Sequence, residues 1–284
     1  MTEQNQLSQE QIDNEVRIIK EIAAKEQNID DLKFVFSCID LTTLNVTDNE
    51  THVNEFASKV NTFIDMYPDL DPVAAVCVYP NLVSSLEEAL DLSQVRIASV
   101  AGGFPTSMTF TELKISEARM AVEAGADEID IVLPVGAFLD RKYDFVHEEI
   151  AQIKKAIGEV TLKVILETGA LDSLQNVWNA SLLAMNAGAD FIKTSTGKIE
   201  PAATLEASLI MCKAIQYHFE YTGERIGFKA AGGIVTSQQA LEYLTLVREV
   251  LGEEWLTPAK FRIGASRLAN NLLSDIFGRE IKHF

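Results

Sequence analysis

Short apolar runs, each closed by a polar or glycine-rich stretch, recur along the chain. Between them lie segments whose apolar residues fall three to four positions apart. The runs are VFSCIDLT (35–42), VAAVCVYP (73–80), VRIASVAG (95–102), EIDIVLP (128–134), TLKVILETG (161–169), FIKTSTG (191–197), IGFKAAGG (226–233) and FRIGAS (261–266). Near-continuous hydrophobicity over strand length marks strands buried on both faces, and connections long enough to hold a helix mark parallel pairing. Helical spacing is clear over 116–124, 174–187, 203–218 and 237–250. Gly125 and Gly188 follow two of these helices in the phrase AGAD, as C-terminal caps. Eight such strands alternating with helices predict a closed α/β barrel, the (β/α)8 or TIM barrel. Residues 34–284 match the roughly 250 residues typical of it. An open doubly wound sheet is the alternative, and the strand count argues against it. Residues 1–33 carry a helical pattern with Gln11, Val16, Ile19 and Ile22 near one face, which predicts an N-terminal extension covering the barrel bottom or a partner.

Composition narrows the chemistry. The 284 residues are 47% hydrophobic and 23% charged, an ordinary globular mixture, and no Pro/Gly/Ser-rich linker divides them. Forty-two acidic residues against 24 basic ones give a net charge of −18, which repels nucleic acid and anionic lipid. No apolar run approaches the roughly 18 residues of a membrane helix. The first residues, MTEQNQLSQEQIDNE, lack the basic and apolar regions of a signal peptide. Cys38, Cys77 and Cys212 are odd in number, widely spaced and set in apolar contexts. They read as reduced core thiols, so the expected compartment is cytoplasmic. His52, His147, His218 and His283 show no ligand spacing, and there is no P-loop or GxGxxG. No metal or cofactor is expected. Carboxylates, lysines, hydroxyls or thiols must supply the chemistry.

Alternate residues of a barrel strand face the helices and the interior. If the apolar set faces the helices, then Asp130, Lys163, Lys193 and Lys229 point inward from the fourth to seventh strands. Lysine is almost never buried unless paired. A purely structural ion network is one reading, but buried ion pairs rarely stabilise more than apolar substitutes. The other reading is a catalytic cluster. An unperturbed lysine, with a pKa of ~10.4, is only about 0.04% neutral at pH 7. A second ammonium at about 6 Å, with an effective dielectric of ~20, disfavours the charged form by about 2.8 kcal/mol, ~2 pKa units. Desolvation acts in the same direction. One lysine so poised can attack a carbonyl and form a Schiff base, with an acid–base pair such as Asp130 and Lys229 moving protons. Glycine-rich endings follow the last three strands: Thr194-Ser195-Thr196-Gly197-Lys198, Gly232-Gly233 and Gly264-Ala265-Ser266. Such loops bring backbone N–H groups close to an anion. Together with Lys198 they predict a small phosphorylated substrate.

The segments DLTTLN (40–45), AAVCVYP (74–80), GADEIDIVLP (125–134), LKVILETG (162–169), GADFIKTSTGK (188–198), GFKAAGG (227–233) and RIGAS (262–266) closely resemble the deoxyribose-phosphate aldolase family, in the family's order over roughly residues 35–275. The resemblance implies a class I, metal-free aldolase that cleaves 2-deoxy-D-ribose 5-phosphate to D-glyceraldehyde 3-phosphate and acetaldehyde. By position it implies Lys193 as the Schiff-base lysine, Lys229 as the lysine that lowers its pKa, and Asp130 as the partner in proton relay through water. Asp40 and Lys163 match polar residues lining the family's site. Cys77 matches a thiol near it, or is simply a small core residue. Thr196, Gly197, Lys198, Gly232, Gly233 and Ser266 fall on the substrate and phosphate pocket. The chain departs from the family at Ala230, Val235 and Arg267, where proline, arginine and serine are common, and it ends His283-Phe284 instead of in a terminal tyrosine. Another sugar-phosphate aldolase, or a non-catalytic sugar-phosphate-binding barrel, remain the alternatives. A homodimer or tetramer is compatible with the sequence.

Overall fold

The structure is a computed structural model that describes residues 8–25 and 28–284. Eight parallel strands close into a barrel in sequence order. They are β1 (Ile39–Thr42), β2 (Ala75–Val78), β3 (Arg96–Ala101), β4 (Glu128–Val132), β5 (Thr161–Ile165), β6 (Phe191–Lys193), β7 (Gly227–Ala231) and β8 (Phe261–Ala265). The helices are α1 (Gln9–Lys25), α2 (Ile29–Ser37), α3 (Glu50–Asn61), α4 (Phe63–Met66), α5 (Val83–Ala89), α6 (Thr111–Glu123), α7 (Val135–Leu139), α8 (Tyr143–Ile157), α9 (Leu174–Asn186), α10 (Leu205–Thr222), α11 (Ser237–Leu251) and α12 (Arg267–Phe277). The expected TIM barrel is the fold observed.

The outward-facing strand residues, such as Ile129, Leu162, Val164, Ile192 and Phe228, are fully buried in one continuous core beneath the helices. The inward-facing residues divide into two walls. On β2 and β3, Ala75, Cys77, Ala98 and Val100 form a separate small apolar cluster with Leu44. On β4 to β8 and β1 the interior is ionic, as described below. Near the amino-terminal end of the barrel, the Phe191 ring fills the interior because Gly227 leaves it room. A Cβ at Gly227 would fall 2.3 Å from Cε1 of that ring.

One boundary differs from the expected pattern. The run read as a strand over 35–42 is helical in its first part, and β1 begins only at Ile39. Asn28 caps α2 by accepting from the Asp31 backbone N–H at 2.8 Å, and Leu32, Val35 and Phe36 bury one face at helical spacing. The expected boundary between residues 33 and 34 therefore lies within α2. The extension also differs in where it docks. Helix α1 packs on the outer helices α10 and α11, with Ile12, Val16, Ile19 and Ala23 buried, while Gln11 is exposed and Ile22 only half-buried. A hydrophobic stripe shows that a helix has a buried face but not what covers it. Residues 1–7, 26 and 27 of the expected extension lie outside the described residues. His283 and Phe284 are held by Asn270 Oδ1, which accepts from both backbone N–H groups, and Phe284 stacks near Phe36 and Phe63.

Gly227→Ala should force the Phe191 ring aside and lower the unfolding free energy by about 1–3 kcal/mol, read from the urea midpoint.

Candidate active site

The inward alternation that exposes strand residues to solvent in an open sheet here points them at one another. Asp130 and Lys163 are register partners on β4 and β5, and Lys193 and Lys229 on β6 and β7. Neighbouring strands lie about 4.8 Å apart, so side chains of one face meet directly. Asp130 Oδ2 accepts from Lys193 Nζ at 2.7 Å and from Lys229 Nζ at 2.8 Å, while Oδ1 accepts from Lys163 Nζ at 2.9 Å. Asp40 Oδ2 accepts from Lys229 and stands 3.4 Å from Lys163 Nζ; its Oδ1 accepts from Arg262. Glu128 lies 2.5 Å from Lys163 Nζ and 2.8 Å from Arg262 Nη2.

This cluster holds four cations and three carboxylates, one positive charge in excess. The excess falls on Lys193. Lys163 contacts three carboxylates, Lys229 and Arg262 two each, and Lys193 only one. Burial is the largest force on Lys193 and lowers its pKa below the ordinary lysine value. The Lys229 ammonium acts in the same direction, and Asp130 opposes both without restoring the value. Desolvation outweighs the cationic neighbour that the sequence made the main lever, because the barrel encloses almost all of the amine. Burial also disfavours charge on Lys229 and Lys163, yet their carboxylates outweigh it and raise both above the ordinary value. Asp40 and Asp130 are likewise desolvated, but the surrounding cations hold both carboxyls below the usual range. Cys77 is pushed up to about 11, chiefly by burial and then by Asp130, so it remains a thiol.

A cavity of about 380 Å³ opens above Lys193, at the carboxyl ends of β1 and β6 to β8. Lys193 is 4% exposed and lines it, whereas Asp40, Cys77, Asp130, Lys163 and Lys229 are fully buried beneath. Thr196, Gly197, Lys198, Gly232, Gly233 and Ser266, expected as substrate-binding residues, all line the cavity. Glu167 shapes this wall by accepting from the Thr196 hydroxyl at 2.5 Å and its backbone N–H at 3.2 Å. Gly232 is needed because the two loops touch: with φ +90°, a Cβ there would fall 2.6 Å from Ala202 Cβ and 3.1 Å from Gly197 Cα. Lys198 reaches across the mouth and donates to the Leu44 carbonyl at 2.5 Å. Of the departures from the family pattern, Ala230 is buried among the outward-facing core residues, while Val235 and Arg267 line the cavity. In a chain with 42 acidic and 24 basic residues, every charged or titratable side chain on this cavity is basic: Lys193, Lys198, Arg267 and His52.

Sequence reasoning missed three of these residues. Glu128 lies two positions before Asp130 and Arg262 alternates with Phe261 and Ile263, so the strand alternation that found Asp130 would have found both. His52 comes from α3 and carries no such signal.

The closed parallel barrel with a basic cavity at its carboxyl mouth places the chain among the TIM-barrel enzymes. The family model described as DeoC/LacD family aldolase matches residues 34–250, and the chain belongs to that family. It is 46% identical over 255 residues to a mouse deoxyribose-phosphate aldolase, covering 86% of this chain and 79% of the relative. It is 43% identical over 252 residues to a putative deoxyribose-phosphate aldolase of Caenorhabditis elegans, covering 88% and 83%. Among solved structures, the aldolase QR15 superposes with a TM-score of 0.70 at 31% identity, covering 86% of this chain and 96% of that one. A tetrameric deoxyribose phosphate aldolase from Aeropyrum pernix shares the fold, with a TM-score of 0.67 at 24% identity, covering 91% and 97%. Among the described residues, no helix is long and apolar enough to cross a membrane.

Lys193→Met and Lys163→Met should act oppositely on stability. Removing the excess charge should raise the unfolding free energy at pH 7 by about 0.5–2 kcal/mol. Lys163 is the one cation that touches all three carboxylates, so its removal costs each a partner in a buried network and should lower the unfolding free energy by about 3–5 kcal/mol. Because the unfolded chain binds the Lys193 proton more tightly than the folded one, the native protein should gain on Lys193→Met as pH rises from 7 toward the ordinary lysine range. Urea titrations at several pH values measure both effects.

Proposed function

We propose that the protein is a class I deoxyribose-phosphate aldolase that reversibly cleaves 2-deoxy-D-ribose 5-phosphate to D-glyceraldehyde 3-phosphate and acetaldehyde. The observation that carries this reading is that, of the three lysines in the cluster, only Lys193 both reaches the cavity and has its pKa lowered. Curated relatives of that name, at 43–46% identity, support the choice of substrate.

The neutral Lys193 amine adds to the C1 aldehyde of the open-chain sugar, and loss of water with uptake of one proton, relayed through Asp130, leaves a protonated imine. The imine draws in the electron pair of the C2–C3 bond as the C3 hydroxyl gives up its proton. Glyceraldehyde 3-phosphate departs and an enamine remains on Lys193. Protonation at C2 restores the protonated imine, and water releases acetaldehyde, the free amine and the proton taken up at the first step. Throughout, Lys229 stays charged and Asp130 Oδ2 stays within hydrogen-bond reach of the reacting nitrogen. Asp130 is a conduit and not a proton store, since the cations around it hold its acidity high. It passes protons between the reacting nitrogen, Lys229 and water admitted with the substrate. The glycine-rich loops and Lys198 would hold the 5-phosphate and so set the distance of C1 from Lys193.

Acetaldehyde with borohydride should fix an adduct on Lys193, located by peptide mass, and a coupled assay should show cleavage of deoxyribose 5-phosphate that Lys193→Leu abolishes. A panel of donors that included dihydroxyacetone phosphate would expose a different aldolase, and phosphate binding without turnover or adduct a non-catalytic barrel.

Imine formation should rise with pH through a Lys193 titration below the ordinary ~10.4. In Lys229→Leu the repulsion is lost and Asp130 Oδ2 serves Lys193 alone. Both changes favour the charged amine, so the rate at pH 7 should fall about 10²-fold and recover at higher pH.

A further inference from the structure

His52 lines the same cavity as the glycine-rich loops and belongs to none of the sequence motifs. Its Nδ1 is 2.9 Å from Asp48 Oδ1. The Asp48 side chain is almost completely buried (1% exposed), and it accepts from the Thr43 hydroxyl at 2.8 Å and from the Asn45 backbone N–H at 2.9 Å. These donors outweigh the effect of burial and keep Asp48 more acidic than an ordinary aspartate. An ionised carboxylate only accepts, so Nδ1 carries a proton and the tautomer is settled. The ring is thus held by a preorganised loop, with Nε2 as its remaining polar atom. The other charged groups on the cavity are Lys193, Lys198 and Arg267. Among the described residues its one ion pair is with Asp48.

With Nδ1–H engaged, a neutral ring offers only a lone pair at Nε2, which repels an anion. A protonated ring offers an N–H, and the buried Asp48 carboxylate compensates the added charge. We propose that His52, positioned by Asp48, binds the substrate phosphate through Nε2–H, and that phosphate entry draws a proton onto the ring. The site thereby gains a cation that the Val235 position does not supply, beside Lys198 and Arg267. The assignment rests on the aldolase reading for its substrate, but its chemistry is that of any phosphate monoester or free phosphate.

The test uses His52→Gln in the full-length chain, a substitution at a half-exposed residue that leaves the core untouched. Calorimetry with inorganic phosphate at pH 6.5 should show about tenfold weaker binding in the variant. The wild type should take up protons on binding, seen as a heat that depends on buffer ionisation enthalpy, and the variant should take up fewer. The KM for deoxyribose 5-phosphate should rise about tenfold with kcat little changed, while kcat/KM for unphosphorylated deoxyribose stays the same. Unchanged phosphate affinity, or equal losses for both sugars, would overturn the assignment. If the wild type cleaves neither sugar but His52→Gln still weakens phosphate binding, the aldolase reading falls and the assignment of His52 stands.

Discussion

The site depends on one charge imbalance in an almost completely buried cluster. Four cations and three carboxylates meet inside the barrel, and a low-dielectric interior tolerates a net charge poorly. The cheapest relief is to release one proton. Contact geometry decides which amine releases it: Lys163 is ringed by carboxylates, Lys229 is clamped between Asp40 and Asp130, and Lys193 holds one shared oxygen. The same amine is the one that meets the cavity. Nucleophilicity and access therefore coincide at a single nitrogen.

The scaffold serves this arrangement by keeping its walls unequal. Small apolar residues on β2 and β3 cannot pair with the excess charge or dissipate it, and they make one side of the interior dry. The Phe191 ring, admitted by Gly227, blocks the interior toward the amino-terminal end. The cavity over Lys193 opens at the carboxyl end, where the loops after β6, β7 and β8 meet the loop after β1. The strong net negative charge of the chain is set against a cavity whose charged or titratable side chains are all basic, so the potential favours an anionic ligand at the mouth over the rest of the surface.

Much of this was legible in the sequence, because the signals were periodic. Alternation along EIDIVLP and TLKVILETG placed Asp130 and Lys163 on the inner face, and the fold puts them in register. The glycine-rich endings marked the cavity wall. The run at 35–42 was misread in its first half because Phe34, Val35 and Phe36 suit a strand and a buried helix equally; a cap at Asn28, seven residues before the run, decided for the helix. Likewise the apolar stripe of α1 was visible but its partner was not, since α10 and α11 lie some two hundred residues away along the chain (roughly, by position).

The sequence by itself determined the barrel, its strand count and which lysines face inward, because each of these follows from local periodicity repeated along the chain. Only the tertiary structure decided that burial more than a neighbouring cation depresses the Lys193 pKa, that Glu128 and Arg262 complete the ion cluster, and that His52 reaches the same cavity. The reason is physical: desolvation and charge balance are properties of an enclosed volume. They are set by side chains from distant strands that meet only when the sheet closes on itself.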